Sequence, residues 1–137
     1  MKKVFRVNRF SGVITKKNTV EFGDGEFECD VTQLYPGSHL DEEEYLVLQN
    51  GEKLDLTGVE VKVEIGLKDI EIIDNEDDGV VCGSIVSILY KGDHYQVIVR
   101  TEDEEDFVID TEYLWNEFDK VSVKIAPKDI KISLKVK

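Results

Sequence analysis

The chain has 137 residues, 34% of them charged, with a net charge of −13 at pH 7. That field repels nucleic-acid phosphates and argues against a nucleic-acid partner, which needs a basic face. A chain of this length buries enough surface to fold without a metal or a disulfide. Cys29 and Cys82 each lie in a strand-like apolar stretch and read as buried thiols, with no CxxC pattern.

The start, MKKVFRVNRF, lacks the apolar stretch and cleavage site of a signal peptide, and no apolar run reaches about 18 residues. The expectation is a soluble cytosolic domain. Helical periodicity is nearly absent. Alternating runs such as Val59 to Ile65, Tyr95 to Val99 and Val121 to Ile125 are half-buried strands. Strands are expected near 10–15, 18–22, 26–31, 45–49, 59–65, 70–73, 80–90, 94–101, 106–110, 121–125 and 130–134. Between them stand turn signals: Gly23-Asp24-Gly25, Pro36-Gly37-Ser38, Asn50-Gly51, Asp78-Gly79 and Gly92-Asp93. Residues 112–119 are the expected helical turn, capped by Thr111, with Trp115 and Phe118 facing inward. Many short strands closed by turns predict an all-β antiparallel barrel or sandwich.

One phrase occurs twice. Residues 61–72 read VKVEIGLKDIEI and residues 121–132 read VSVKIAPKDIKI, sixty positions apart. A strand, a Lys-Asp turn and a second short strand have been built twice, so the domain reads as two related β modules, about 10–73 and 79–134. Two units are too few for a solenoid.

The negative charge is concentrated at 41–44, 74–78 and 102–106, the last following the 80–101 hairpin. Acids gathered in turns read first as solvated tips. As a functional site, Glu102, Asp103, Glu104, Glu105 and Asp106, with Trp115 nearby in sequence, suit weak contact with a polyamine or other cation. DNEDDG at 74–79 lacks the alternating ligand order of a calcium loop. No phosphate loop, nucleophile elbow or credible Ser-His-Asp order is present, and His39 and His94 sit in separate turn-like segments. The chain reads as non-catalytic, with no cofactor or metal of its own.

From Gly79 to Lys131 the sequence resembles the C-terminal regulatory, or TOBE, domain of ABC-transporter ATP-binding subunits. The resemblance rests on the hairpin from Gly83 to Tyr95 and on the closing phrase VSVKIAPKDI. Within that family the Tyr90-Lys91-Gly92-Asp93-His94-Tyr95 turn is most similar to the spermidine/putrescine importers. Phe5, Asn8 and Gly12 match the family's approach from the ATPase domain, which makes residues 1–9 the remnant of a linker and 10–137 the regulatory domain. The resemblance implies an OB-like β architecture that pairs with a second copy and tunes the ATPase subunits. Its implied partners are the ATPase domain, which carries ATP and magnesium in the family, and the membrane permease. Its implied place is cytoplasmic, peripheral at the inner face of the cell membrane. The alternative is a stand-alone OB-like module that binds a small cation or other small molecule.

Overall fold

In the computed structural model, residues 6–135 are described. Phe5 and most of the expected linker therefore lie outside the described residues. Among the described residues thirteen strands follow one another: β1 (Val7–Lys16), β2 (Thr19–Phe22), β3 (Gly25–Glu28), β4 (His39–Leu40), β5 (Leu46–Val47), β6 (Lys53–Leu54), β7 (Glu60–Gly66), β8 (Ile70–Ile73), β9 (Val81–Tyr90), β10 (Tyr95–Arg100), β11 (Asp106–Thr111), β12 (Lys120–Ile125) and β13 (Lys131–Leu134). Short 3-10 turns occupy Val31–Leu34 and Pro127–Asp129. Strand pairing is antiparallel throughout, as the alternating sequence predicts.

Two five-stranded sheets carry the repeat. Their orders are β13-β7-β1-β2-β3 and β8-β12-β9-β10-β11. Each strand of the first sheet has its counterpart at the same place in the second. The register agrees as well: β7 meets β13 at Glu64↔Lys131 and Val63↔Ile132, and β12 meets β8 at Lys124↔Glu71 and Val123↔Ile72. The last strand of each module is thus exchanged. β8 leaves the first module to edge the second sheet, and β13 returns to edge the first. Alternation sets which face of a strand is buried but not which strand it pairs with.

Burial follows the pattern. Val61, Val63 and Ile65 on β7, and Val121, Val123 and Ile125 on β12, are all buried. Four phenylalanines link the two sheets: Phe10 lies 5.1 Å from Phe22 and 5.0 Å from Phe107, and Phe22 stacks on Phe27 at 4.5 Å. Such offset and tilted ring pairs add to the burial term. A tight turn makes this possible, because Gly23 (φ +55°) and Asp24 (φ +69°) are both left-handed. A Cβ on Gly23 would stand 2.6 Å from the Phe107 ring, so only glycine fits there.

Asn8 ties the sheets together. From β1 its Nδ2 donates to the Val108 carbonyl at 2.8 Å, and its Oδ1 accepts from the Val108 N–H at 2.8 Å. Both residues are buried. One carboxamide therefore satisfies both main-chain groups of a residue on the outer strand β11, as a further strand would. β1 begins at Val7, so residues 7–9 belong to the sheet.

Three expectations need correction. Residues 112–119 form no helix: Thr111 Oγ1 accepts from Tyr113 N–H in a short turn, Phe118 is left-handed at φ +70°, and its N–H donates to the Ile85 carbonyl of β9 at 2.7 Å. Phe118 also points outward, 77% exposed, whereas Trp115 does pack on the core with its Nε1 buried and unpaired among the described residues. Cys29 is buried as expected, but Cys82 is exposed, because it lies on the outward face of β9. Finally, the segment between β3 and β7 holds the small β4-β5-β6 sheet, of which only the middle strand was expected.

Candidate functional site

Several side chains of the acidic turns do local work. Asp41 Oδ1 accepts from the N–H groups of Glu43 and Tyr45 at 3.0 and 2.9 Å, while its other oxygen meets Lys53 at 3.1 Å. Glu44 pairs with Lys17. Asn75 caps the 74–78 turn by accepting from Asp77 and Asp78 N–H at 2.9 and 2.7 Å. Asx turns of this kind fix the loop backbone, and exposed ion pairs contribute only about 0–1 kcal/mol each.

The 102–106 turn joins β10 to β11. Its five acids do not act alike. Asp106 is held by a two-pronged contact from Arg100, Nε to Oδ1 at 2.8 Å and Nη2 to Oδ2 at 3.0 Å. That hydrogen-bonded carboxylate keeps the Arg100 guanidinium above its usual range. Glu104, left-handed at φ +66°, and Glu105 sit at the exposed tip. Asp103 turns back to the first module. The Thr101 hydroxyl donates to Asp24 Oδ2, and the Asp103 N–H donates to the same oxygen at 3.2 Å. The Asp24 carboxyl, by hydrogen bond and then by charge, raises the Asp103 carboxyl above its ordinary value. Glu21, Asp24, Glu26 and Asp103 line a shallow cavity of about 310 Å³.

Trp115 does not join this group. It follows β11 at the end away from the turn, and a six-residue strand spans roughly 20 Å. It lines instead a groove of about 500 Å³ with Tyr113, Ile70, Ile72, Asp110 and Asp129. A third hollow, about 350 Å³, lies under the small sheet, floored by Ile14, Leu46 and Leu56 and rimmed by Lys17 and Glu44. His94 bridges carboxylates, Nδ1 to Asp93 Oδ1 at 2.5 Å and Nε2 to Asp110 Oδ2 at 3.5 Å, and its hydrogen bond holds Asp93 below the ordinary carboxylate value. Among the described residues, no three His, Cys, Asp or Glu side chains are gathered to hold a metal ion, and no helix is long and apolar enough to cross a membrane.

Sequence reading missed that the acids of the 102–106 turn gain company from the first module. A second repeat carries the signal: Phe27, Asp30, Leu34 and Tyr35 match Phe107, Asp110, Leu114 and Trp115, eighty positions apart. This pairing aligns the two outer strands and sets Gln33 opposite Tyr113.

No protein-family model matches the chain. Over 133 residues, 96% of the chain, it is 35% identical to the spermidine/putrescine import ATP-binding protein PotA of Bacteroides fragilis (strain YCH46). Over 132 residues it is 33% identical to the protein of the same name from Bacteroides thetaiotaomicron. The chain spans 24% of the length of each of these curated relatives. Among solved structures it is similar to the cytoplasmic molybdate-binding protein ModG with molybdate bound, at a TM-score of 0.64 and 9% identity, covering 98% of this chain and 100% of that one. This second likeness establishes the fold, an OB-like, nearly all antiparallel β architecture. The relatives agree with the polyamine-importer resemblance carried by the 79–131 segment.

Proposed function

We propose that this chain is a regulatory domain of the ATP-binding subunit of a polyamine importer, acting without catalytic residues of its own. One observation carries the reading: the similarity to two spermidine/putrescine import ATP-binding proteins runs through 96% of the chain yet takes in only 24% of theirs. The domain then pairs with a second copy, contacts the ATPase domain and permease, and works at the inner face of the cell membrane. ATP and magnesium belong to the ATPase domain.

Polyamine contact is the finer part of the proposal. Asp103, with Glu102 beside it in the chain, stands with Glu21, Asp24 and Glu26 of the first module, an acid-rich end that suits a spaced, multiply charged amine. The raised Asp103 supports this, since a cation placed there relieves the repulsion from Asp24. Trp115 lies at the other end, so the aromatic contact expected beside the 102–106 carboxylates has no support. Exposed charge pairs are weak and screened by salt, so the affinity is modest.

Calorimetry at low ionic strength tests this. Spermidine is expected to bind more tightly than magnesium at equal charge concentration, with loss on neutralising Glu102 and Asp103 together. Equal binding of the two cations, or no effect of the neutralisation, contradicts the polyamine reading.

A further inference from the structure

The two modules differ at their exchanged edges. On β13, Gln33 donates through Nε2 to the Ile130 carbonyl at 2.9 Å and accepts through Oε1 from the Ile132 N–H at 3.2 Å. One side-chain amide makes the bonds that an added strand would make. The matching register puts Ile70 and Ile72 of β8 where Ile130, just before β13, and Ile132 of β13 stand. The Ile70 carbonyl and the Ile72 N–H therefore face away from β12. Among the described residues, nothing outside the β12 ladder bonds to either group. The residue in Gln33's place is Tyr113, which has no carboxamide and stands 74% exposed. What results is the groove of about 500 Å³ along β8.

We propose that the outer edge of β8 receives an extended segment of a partner polypeptide. The N–H and C=O of one of its residues take the place on Ile70 and Ile72 that the Gln33 carboxamide fills on Ile130 and Ile132. Unpaired strand edges are templates for such addition, main-chain bonds supplying affinity and side-chain pockets supplying selectivity. Charge selects the segment. Asp69, Glu71, Asp110 and Asp129 outnumber Lys68 and Lys124 around the groove, so the arriving side chains are basic. The same charge argues against a second copy of this chain, which carries −13 and would set Glu71 near its own twin. This surface does not depend on which cargo the importer carries.

The test is a titration of the ¹⁵N-labelled 137-residue chain with acetyl-Val-Lys-Val-Lys-amide at low salt, followed by NMR. The Ile72 amide resonance is expected to shift and saturate, while that of Ile132, already bonded to Gln33, stays in place. The same peptide with methylated amide nitrogens, or with glutamates for its lysines, is expected to bind at least tenfold more weakly. Ile72→Pro removes the outward donor on an edge strand, where proline is tolerated, and is expected to weaken binding at least tenfold. An unmoved Ile72 resonance at millimolar peptide overturns the proposal. So do equal affinities for the methylated or acidic peptides, full affinity in Ile72→Pro, or an Ile72 shift that follows protein dilution without peptide, which would assign the edge to a second copy.

Discussion

Replacing Asn8 by alanine removes the clamp between the sheets. The carboxamide satisfies both main-chain groups of Val108, each at 2.8 Å, and Asn8 and Val108 are both 5% exposed. Without it, a buried N–H and a buried C=O lose their partner, at about 1–3 kcal/mol each. The expected loss is about 2–5 kcal/mol. With a urea slope of about 2 kcal/mol per molar for a protein of this size, the midpoint falls by roughly 1–2.5 M. The single tryptophan, Trp115, gives a fluorescence readout from the far end of the second sheet, so a two-state loss registers there. Asn8→Asp sharpens the test. At neutral pH the introduced carboxylate still accepts from the Val108 N–H but cannot donate to its carbonyl, and it buries a charge. Its folded pKa is therefore raised, and stability recovers as pH falls through that value, when the protonated carboxyl both donates and accepts. A midpoint shift under about 0.3 M for Asn8→Ala, or an Asn8→Asp variant as stable as the parent at neutral pH, refutes the clamp.

Ile65→Ala and Ile125→Ala each empty a fully or nearly fully buried site on equivalent strands, 0% and 5% exposed, and are expected to cost about 2–5 kcal/mol each by denaturation midpoint. Asp103→Asn relieves the repulsion at Asp24. Because the Asp103 carboxyl is raised above 3.8, its folded state favours the proton, so its burden on stability grows as pH rises through the folded value. The variant is expected to melt higher than the parent at pH 7 and to match it below about pH 3, where both carry an uncharged group. A disulfide reagent at neutral pH is expected to modify one thiol quickly, the exposed Cys82. Burial first, and the Asp30 charge second, push Cys29 up to about 12, so it reacts only on unfolding; two fast thiols would contradict this burial.

Much of this architecture is legible in the residues. The alternation in 59–65 and 121–125 gives the buried faces of β7 and β12, and the repeated Lys-Asp phrase marks the turn before each closing strand. The exchange of β8 and β13 is not legible, because a four-residue apolar strand carries no record of its partner. Residues 112–119 misled for a local reason: aromatic and leucine spacing suggested a helix face, but backbone bonds to β9 and a left-handed Phe118 govern the segment. The match between Gln33 and Tyr113 was obscured by the small sheet inserted after Tyr35, which moves the offset from sixty to eighty positions. At the acidic end, sequence adjacency linked Trp115 to the 102–106 turn. A strand intervenes and carries them apart, while the turn at Asp24 brings in carboxylates from about eighty residues away.

The central claim, that this chain regulates a polyamine importer, is tested most directly by exchange. In the Bacteroides fragilis relative, the 133-residue matching segment is replaced by this chain, and spermidine uptake is measured in cells lacking their own importer. The account predicts uptake restored above that of the same protein with the segment deleted. A stable, membrane-associated chimera that hydrolyses ATP yet imports no more spermidine than the deletion would contradict it.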